Sequence, residues 1–178
     1  MSENFTYAIP FILQHEGGWV NDPDDSGGET YCGISRNNFP NWPGWRLIDI
    51  AHGSATFPAN LKLVGGLSDL VAEFYRQNFW QASWDDLDKR VAAKVMNCGV
   101  NNGMTWGPKI LQRACGVTDD GIVGPATIAA ANKMDTDTLL QAMCDQMDKH
   151  YEAIAAANPG DQKFLVGWKS RSSWIPTA

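Results

Sequence analysis

From Gly17 to Gly28 every residue except Trp19 and Val20 is Gly, Asn, Asp, Pro or Ser. Such residues stop helices and favour tight turns, so this stretch admits nothing longer than a short strand. Ahead of it Phe5, Ile9, Ile12 and Leu13 recur three to four positions apart, which predicts a helix over residues 3–15 with one apolar face. Glu16 closes that helix, and Gly17-Gly18 terminates it. Unpaired carbonyls give a helix C-terminus partial negative charge, which opposes ionisation of a carboxyl group placed there. A general acid needs this property, because it must carry its proton at the working pH. After the turn-rich stretch, Thr30 to Ser35 reads as the returning strand of a small hairpin.

Asp25 follows Glu16 by nine positions, and Thr30 follows Asp25 by five. A short hairpin folds both back towards Glu16. An acid, a carboxylate and a hydroxyl facing one gap can protonate a departing oxygen, stabilise positive charge on a sugar ring and position a water. Those are the requirements for cleaving a glycosidic bond. The same residues also fit a solvated helix end followed by an ordinary polar loop, and Asp24 competes with Asp25 for the second role.

The string EGGWVNDPDDSGGETYCGIS resembles the N-terminal signature of glycoside hydrolase family 108, a muramidase-like group that cleaves bacterial peptidoglycan. The shared elements are Glu-Gly-Gly, Asn-Asp-Pro, Gly-Gly-Glu-Thr and Tyr-x-Gly-Ile-Ser. VNNGMTWGPKILQRACGVTDDGIVGPATIAA is similar to that family's second block, and KFLVGWKSR to its closing segment, which is associated with a C-terminal peptidoglycan-binding region. The resemblance implies a catalytic region over 1–100 and a helical peptidoglycan-binding region over 101–178, packed as one globular unit. It implies Glu16 as the catalytic acid, with Asp25 and Thr30 in the family's order of Glu, eight residues, Asp, then Thr. The bond cut would be the β-1,4 link between N-acetylmuramic acid and N-acetylglucosamine, in peptidoglycan glycan strands, without metal or organic cofactor. Two departures bear on substrate contacts and pH dependence. Met96-Asn97 stands where relatives carry an ionisable Asp, and Glu29-Thr30-Tyr31-Cys32 lacks the basic residue usual near the hairpin. A lytic transglycosylase, or a catalytically silent peptidoglycan-binding scaffold, are the alternatives on the same fold.

Fourteen basic against twenty acidic residues leave a net charge of −6, so no general basic field favours nucleic acid. A bacterial wall is anionic too, and recognition must then be local. Lys163, Lys169 and Arg171, interspersed with Phe164, Trp168 and Trp174, fit either a docking helix with solvated charges or a site touching glycan, peptide stem or outer membrane. No run reaches the about 18 consecutive apolar residues of a membrane span. Ser-Glu-Asn-Phe-Thr near the start lacks the basic opening of a secretory signal. The expectation is a monomer made in the cytoplasm, which reaches the wall after release in the manner of a phage endolysin.

Cys32, Cys98, Cys115 and Cys144 are dispersed, with no Cys-x-x-Cys pair and no clustered His to suggest a metal site. Cys98, Cys115 and Cys144 fall among apolar helical positions and read as buried thiols. Cys32 lies beside the candidate site, where a papain-like nucleophile would need His15, His52 or His150 brought close. Trp42 and Trp45 read as packing residues or sugar platforms.

Further helices are predicted over 67–80, capped by Ser68 and carrying an aromatic stripe that includes Tyr75, and over 88–102, 106–115 and 125–132. A long one follows Asp135 and ends before Pro159. Asn97 and Asn101, one helical turn apart, suit hydrogen bonding to N-acetyl or hydroxyl groups across a cleft, or capping. Together with Tyr31 they are the candidate substrate contacts. The fold class expected is mainly α, a lysozyme-like arrangement with one small β-hairpin.

Overall fold

The structure, a computed structural model, describes residues 1–22 and 27–177, with every side chain among them except that of His15. Eight α-helices and a small antiparallel sheet make up the described residues, as the periodicity predicts. The chain forms two compact units, one of Met1–Ala8 with Phe79–Ala178 and one of Ile9–Asn78.

In the second unit, the part of helix α1 (Glu3–Glu16) from Ile9 onward delivers the chain into strands β1 (Trp19–Asn21), β2 (Glu29–Tyr31) and β3 (Ile34–Ser35), which pair in the order β1-β2-β3. The single returning strand expected over Thr30–Ser35 is therefore two strands. Cys32 and Gly33 both adopt left-handed backbone, at φ 47 and 77, and reverse the chain between them. Helices α2 (Gly44–Ala51) and α3 (Leu67–Phe79) complete this unit. Because α3 begins at Leu67, Ser68 lies inside it and is no cap. Trp42 and Trp45 are 8% and 3% exposed, pack edge to face on each other, and donate their indole N–H groups to the carbonyls of Leu70 and Phe39. They are packing residues, with their polar edges satisfied as burial requires.

The other unit is built around α4 (Lys89–Asn102), whose residues Val91 to Gly99 are all buried. Asp88 caps its first turn by accepting from the Arg90 amide. Helices α5 (Trp106–Cys115) and α7 (Thr136–Ala157) pack against α4 and each other, with α6 (Pro125–Ala131) against α5 and α8 (Leu165–Ser172) against α7. Gly107 lets α5 approach α4 at backbone distance: a Cβ there would fall 2.3 Å from the Val95 carbonyl oxygen. Gln112, 1% exposed, ties the chain around Asp120–Ile122 to α5, donating to Asp120, the Ile122 carbonyl and Thr127 while accepting from the Gly121 amide. Cys98 and Cys144 are buried thiols, whereas Cys115 is only half-buried, because it occupies the last turn of α5 beside Gly116.

Lys94 is fully buried in the middle of α4, and its ammonium donates to the Ser172 and Trp174 carbonyls while facing the Trp174 ring at 5.8 Å. Arg90, one turn earlier, donates to the Pro176 carbonyl, and the Tyr7 hydroxyl to that of Thr177. The C-terminal segment is thus held by its carbonyls as well as by burial of Pro176 and partial burial of Trp174 and Ile175. Lys94→Ala should lower unfolding free energy by about 2–4 kcal/mol, because it orphans these carbonyls and leaves a hole. Lys94→Met, which keeps the stem, should lose a similar amount. Denaturant unfolding checks both, and a change below about 0.5 kcal/mol would reject the clamp.

Candidate active site

The site grows from the end of α1. Gly17, at φ 73, takes the left-handed conformation that ends the helix, and two residues later the chain is already strand. The register pairs Trp19 with Tyr31, Val20 with Thr30 and Asn21 with Glu29, and the Cys32 amide extends the ladder by donating to the Gly18 carbonyl at 3.1 Å. The hairpin is consequently stitched to the helix terminus. Glu16 is half-buried there.

Gly33 is where the acid is seated. An ideal Cβ on it would lie 2.6 Å from Glu16 Oε2 and 2.6 Å from the Tyr75 hydroxyl oxygen, so both groups rest directly on its bare Cα. Tyr75, from α3, donates that hydroxyl to the Cys32 carbonyl at 2.9 Å. Sequence reading placed Tyr75 in an apolar stripe and missed this role. The available signal was a hydroxyl in a row otherwise filled by Leu, Val and Phe.

A second carboxylate on the hairpin is fully engaged. Glu29 Oε1 accepts from the Trp19 indole at 2.8 Å and Oε2 pairs with Arg36 Nε at 2.7 Å, while Arg36 also reaches Asp49 at 2.6 Å and lies over the Trp45 ring at 4.5 Å. Hydrogen bonding to Asp49 is the main reason the Arg36 guanidinium is held even more firmly protonated than usual. Glu29 therefore fastens β2 to the segment after β3. It lacks the open face a general acid needs.

The Thr30 hydroxyl donates to the Gly28 carbonyl at 3.2 Å. Asp25, and Asp24 with it, lie outside the described residues. Tyr31 stacks 6.4 Å from Trp42, at 24° between planes. It also lines a groove of about 440 Å³, together with Gly17, Gly18, Trp19, Cys32 and Leu61. This groove opens at the helix terminus that carries Glu16. Burial, then the neighbouring Cys32, pushes the Tyr31 hydroxyl up to about 12, so it stays a neutral hydrogen-bonding group.

Cys32 has the wrong electrostatics for a nucleophile. Burial pushes its thiol up, the hydrogen bond with the Tyr31 hydroxyl opposes this in part, and the Glu16 carboxylate adds a smaller rise. Reactive cysteines need the reverse, an electropositive setting that favours thiolate. His52 packs on Trp19 and Phe57, and His150 stacks on Trp106.

In the other unit, the helical spacing of Asn97 and Asn101 is realised as a direct bond, Asn101 Nδ2 donating to Asn97 Oδ1 at 3.0 Å. Asn97 is 1% exposed and its own Nδ2 has no hydrogen-bond partner among the described residues. Asn101, half-buried, also borders a cavity lined by Tyr151 and Trp168.

Glu16 thus stands at a helix end, backed by the hairpin, and Gly17 and Gly18 after it belong to the groove wall. The chain belongs to glycosyl hydrolase family 108: the family model matches residues 9–103, and a predicted peptidoglycan domain matches residues 107–173. Among solved structures it is similar to one described as the structure of Brucella abortus SagA, at 26% identity and a TM-score of 0.57, covering 94% of this chain and 92% of that one. No curated protein shows significant similarity to the chain. The family identity makes it a glycoside hydrolase type of protein with a peptidoglycan-linked C-terminal region.

With its pKa raised, Cys32 carries less thiolate at pH 8 than a free thiol does, so it should react with iodoacetamide more slowly than glutathione, and faster as pH rises. Glu16→Gln removes one of the raising charges and should accelerate labelling. Mass spectrometric rates reporting the opposite order would contradict the electrostatics described.

Proposed function

We propose that the protein is an N-acetylmuramidase that hydrolyses the β-1,4 bond between N-acetylmuramic acid and N-acetylglucosamine in peptidoglycan. The observation that carries this is the seat of Glu16, a half-buried carboxyl group packed on Gly33 and followed directly by Gly17 and Gly18 of the groove wall, within a family 108 chain. Glu16 donates its proton to the leaving glycosidic oxygen. Asp25 supplies the second carboxylate, assisting water or stabilising the oxocarbenium-like transition state, and the Thr30 hydroxyl helps hold the water. Tyr31, whose hydroxyl stays neutral, contacts sugar from the groove wall. Within the other unit, half-buried Asn101 is the side-chain amide suited to an N-acetyl group, whereas Asn97, 1% exposed, accepts from it and serves to orient it. A role as an endolysin, made in the cytoplasm and released to the wall, fits the sequence expectation.

A lytic transglycosylase would use the same Glu16 as acid and then as base, with the muramic acid's own hydroxyl attacking. The products differ. Purified peptidoglycan digested by the wild-type protein should yield muramic acid ends that borohydride reduces, and Glu16→Ala should lose roughly 10²–10⁴-fold in rate. Anhydro-muramic ends would replace hydrolysis by the transglycosylase reaction. No product from either protein would leave a peptidoglycan-binding scaffold.

Gly33→Ala tests the seat itself. The added Cβ must displace the Glu16 carboxyl or the Tyr75 hydroxyl, and it adopts an unfavourable positive φ, so stability should fall by about 1–3 kcal/mol. Activity should fall with kcat more affected than KM, since the acid moves while the groove remains. Unchanged kcat in a folded Gly33→Ala protein would show that the seat is irrelevant to the chemistry.

A further inference from the structure

Within the unit Ile9–Asn78, the segment between β3 and α2 forms a hollow of about 360 Å³ against the last turns of α3. Its backbone is fixed at Phe39. The Phe39 amide donates to the Ser35 carbonyl, and the Phe39 carbonyl accepts from both the Trp42 amide and the Trp45 indole. Pro40 and Pro43, which also line the hollow, restrict the segment further through their rings. The Phe39 ring packs edge to face on Phe74 at 4.7 Å and yet stays 37% exposed. An aromatic ring held on a rigid backbone leaves little ordering cost for a ligand that covers it.

The polar lining consists of side-chain amides. Asn38 and Asn41 are exposed, and neither side chain is engaged by a hydrogen bond among the described residues. Gln77 donates to Glu73 at 2.7 Å and Asn78 to the Phe74 carbonyl at 2.8 Å, which leaves the oxygens of both amides as acceptors. Among the described residues, none that lines the hollow carries a charge. The Glu73 carboxylate that Gln77 touches is itself paired with Arg76 at 2.7 Å. Trp42 links the hollow to the groove of the candidate active site: it lines the hollow, and its ring stacks on Tyr31, which lines the groove with Gly17 and Gly18.

We infer that this hollow binds an N-acetylglucosamine residue of the glycan strand, apart from the bond that is cut. A side-chain amide donates and accepts at once, so Asn38 and Asn41 match the C=O and N–H of an acetamido group as well as sugar hydroxyls. The exposed Phe39 ring suits the apolar C–H face of the same sugar, and the volume is that of a ligand site. The alternate sugar, N-acetylmuramic acid, carries a lactyl substituent that ends in a carboxylate or in the peptide stem with its own charges. Such a group would lose water here without meeting a counter-charge, which costs free energy. The lining therefore selects the neutral sugar of the repeat. The origin of that sugar rests on the peptidoglycan reading given above, but the site does not depend on the chemistry assigned to Glu16.

The test uses the full chain carrying Glu16→Gln, so that ligands persist, and triacetylchitotriose, a short oligomer of N-acetylglucosamine. The side-chain amide resonances of Asn38 and Asn41, assigned with Asn38→Ala and Asn41→Ala, report on the hollow separately from the groove. Triacetylchitotriose should shift both. Cellotriose, which lacks the acetamido groups, should need a concentration about ten-fold higher, because amides placed for those groups go unpaired. Muramyl dipeptide should leave both unmoved. Phe39→Ala, followed at Asn41, and Asn41→Ala, followed at Asn38, should each weaken triacetylchitotriose about five-fold or more. Should Phe39→Ala fail to fold, Asn41→Ala, which alters an exposed side chain, carries the same comparison. Resonances that triacetylchitotriose does not move, an equal response to cellotriose or muramyl dipeptide, or an unchanged titration of Asn41→Ala overturns the inference. Peptidoglycan digestion by the wild-type protein is scored separately. Binding at Asn38 and Asn41 without digestion sinks the muramidase reading alone, and digestion with both resonances unmoved sinks this site alone.

Discussion

The contact of the Glu16 carboxyl group and the Tyr75 hydroxyl with the bare Cα of Gly33 is the constraint on which the hydrolase-type unit depends. It joins the end of α1, the turn between β2 and β3, and α3 at one point. Only a residue without a side chain permits that approach, and the same residue supplies the positive φ that the turn needs. The turn also presents the Cys32 carbonyl to Tyr75. One backbone position thereby satisfies a steric, a conformational and a hydrogen-bonding demand together.

Carboxylates close to one another in this unit are separated into roles by their partners. Glu29 and Asp49 converge on Arg36, forming a linked set that fastens the small sheet to α2. Such a half-exposed network contributes modestly to stability, but it leaves Glu29 engaged through both carboxylate oxygens. Cys32 is kept inert by burial and by the Glu16 charge. The site is therefore specialised by what its neighbours suppress as much as by what they support.

Much of the fold was legible locally. The three-to-four spacing of apolar residues located α1, α3, α4, α5 and α7 to within a residue or two, since one buried face imposes that period. Asp135 before the long helix behaves as a cap, accepting from the Thr138 amide. The strand Thr30–Ser35 was misjudged because a two-residue reversal through Cys32-Gly33 leaves little mark on a short window, and a non-glycine residue at positive φ is not expected there. Ser68 failed as a cap for a similar reason: helix starts differ by a residue or two when several polar residues compete.

What the sequence by itself determined is local: where helices run, where Gly17-Gly18 stops one, and that a glutamate stands at that stop before a hairpin. Those features follow from side-chain spacing and backbone preference over a few residues. The tertiary structure alone decided which polar groups meet. Tyr75 reaches the Cys32 carbonyl across 43 positions of chain, Lys94 reaches the Ser172 carbonyl across 78, and Trp42 turns its indole to the Leu70 carbonyl instead of to solvent. Periodicity specifies which face of an element is buried, but not which residue of a distant element lies opposite. That choice is made by packing the whole core and satisfying its buried polar atoms at once.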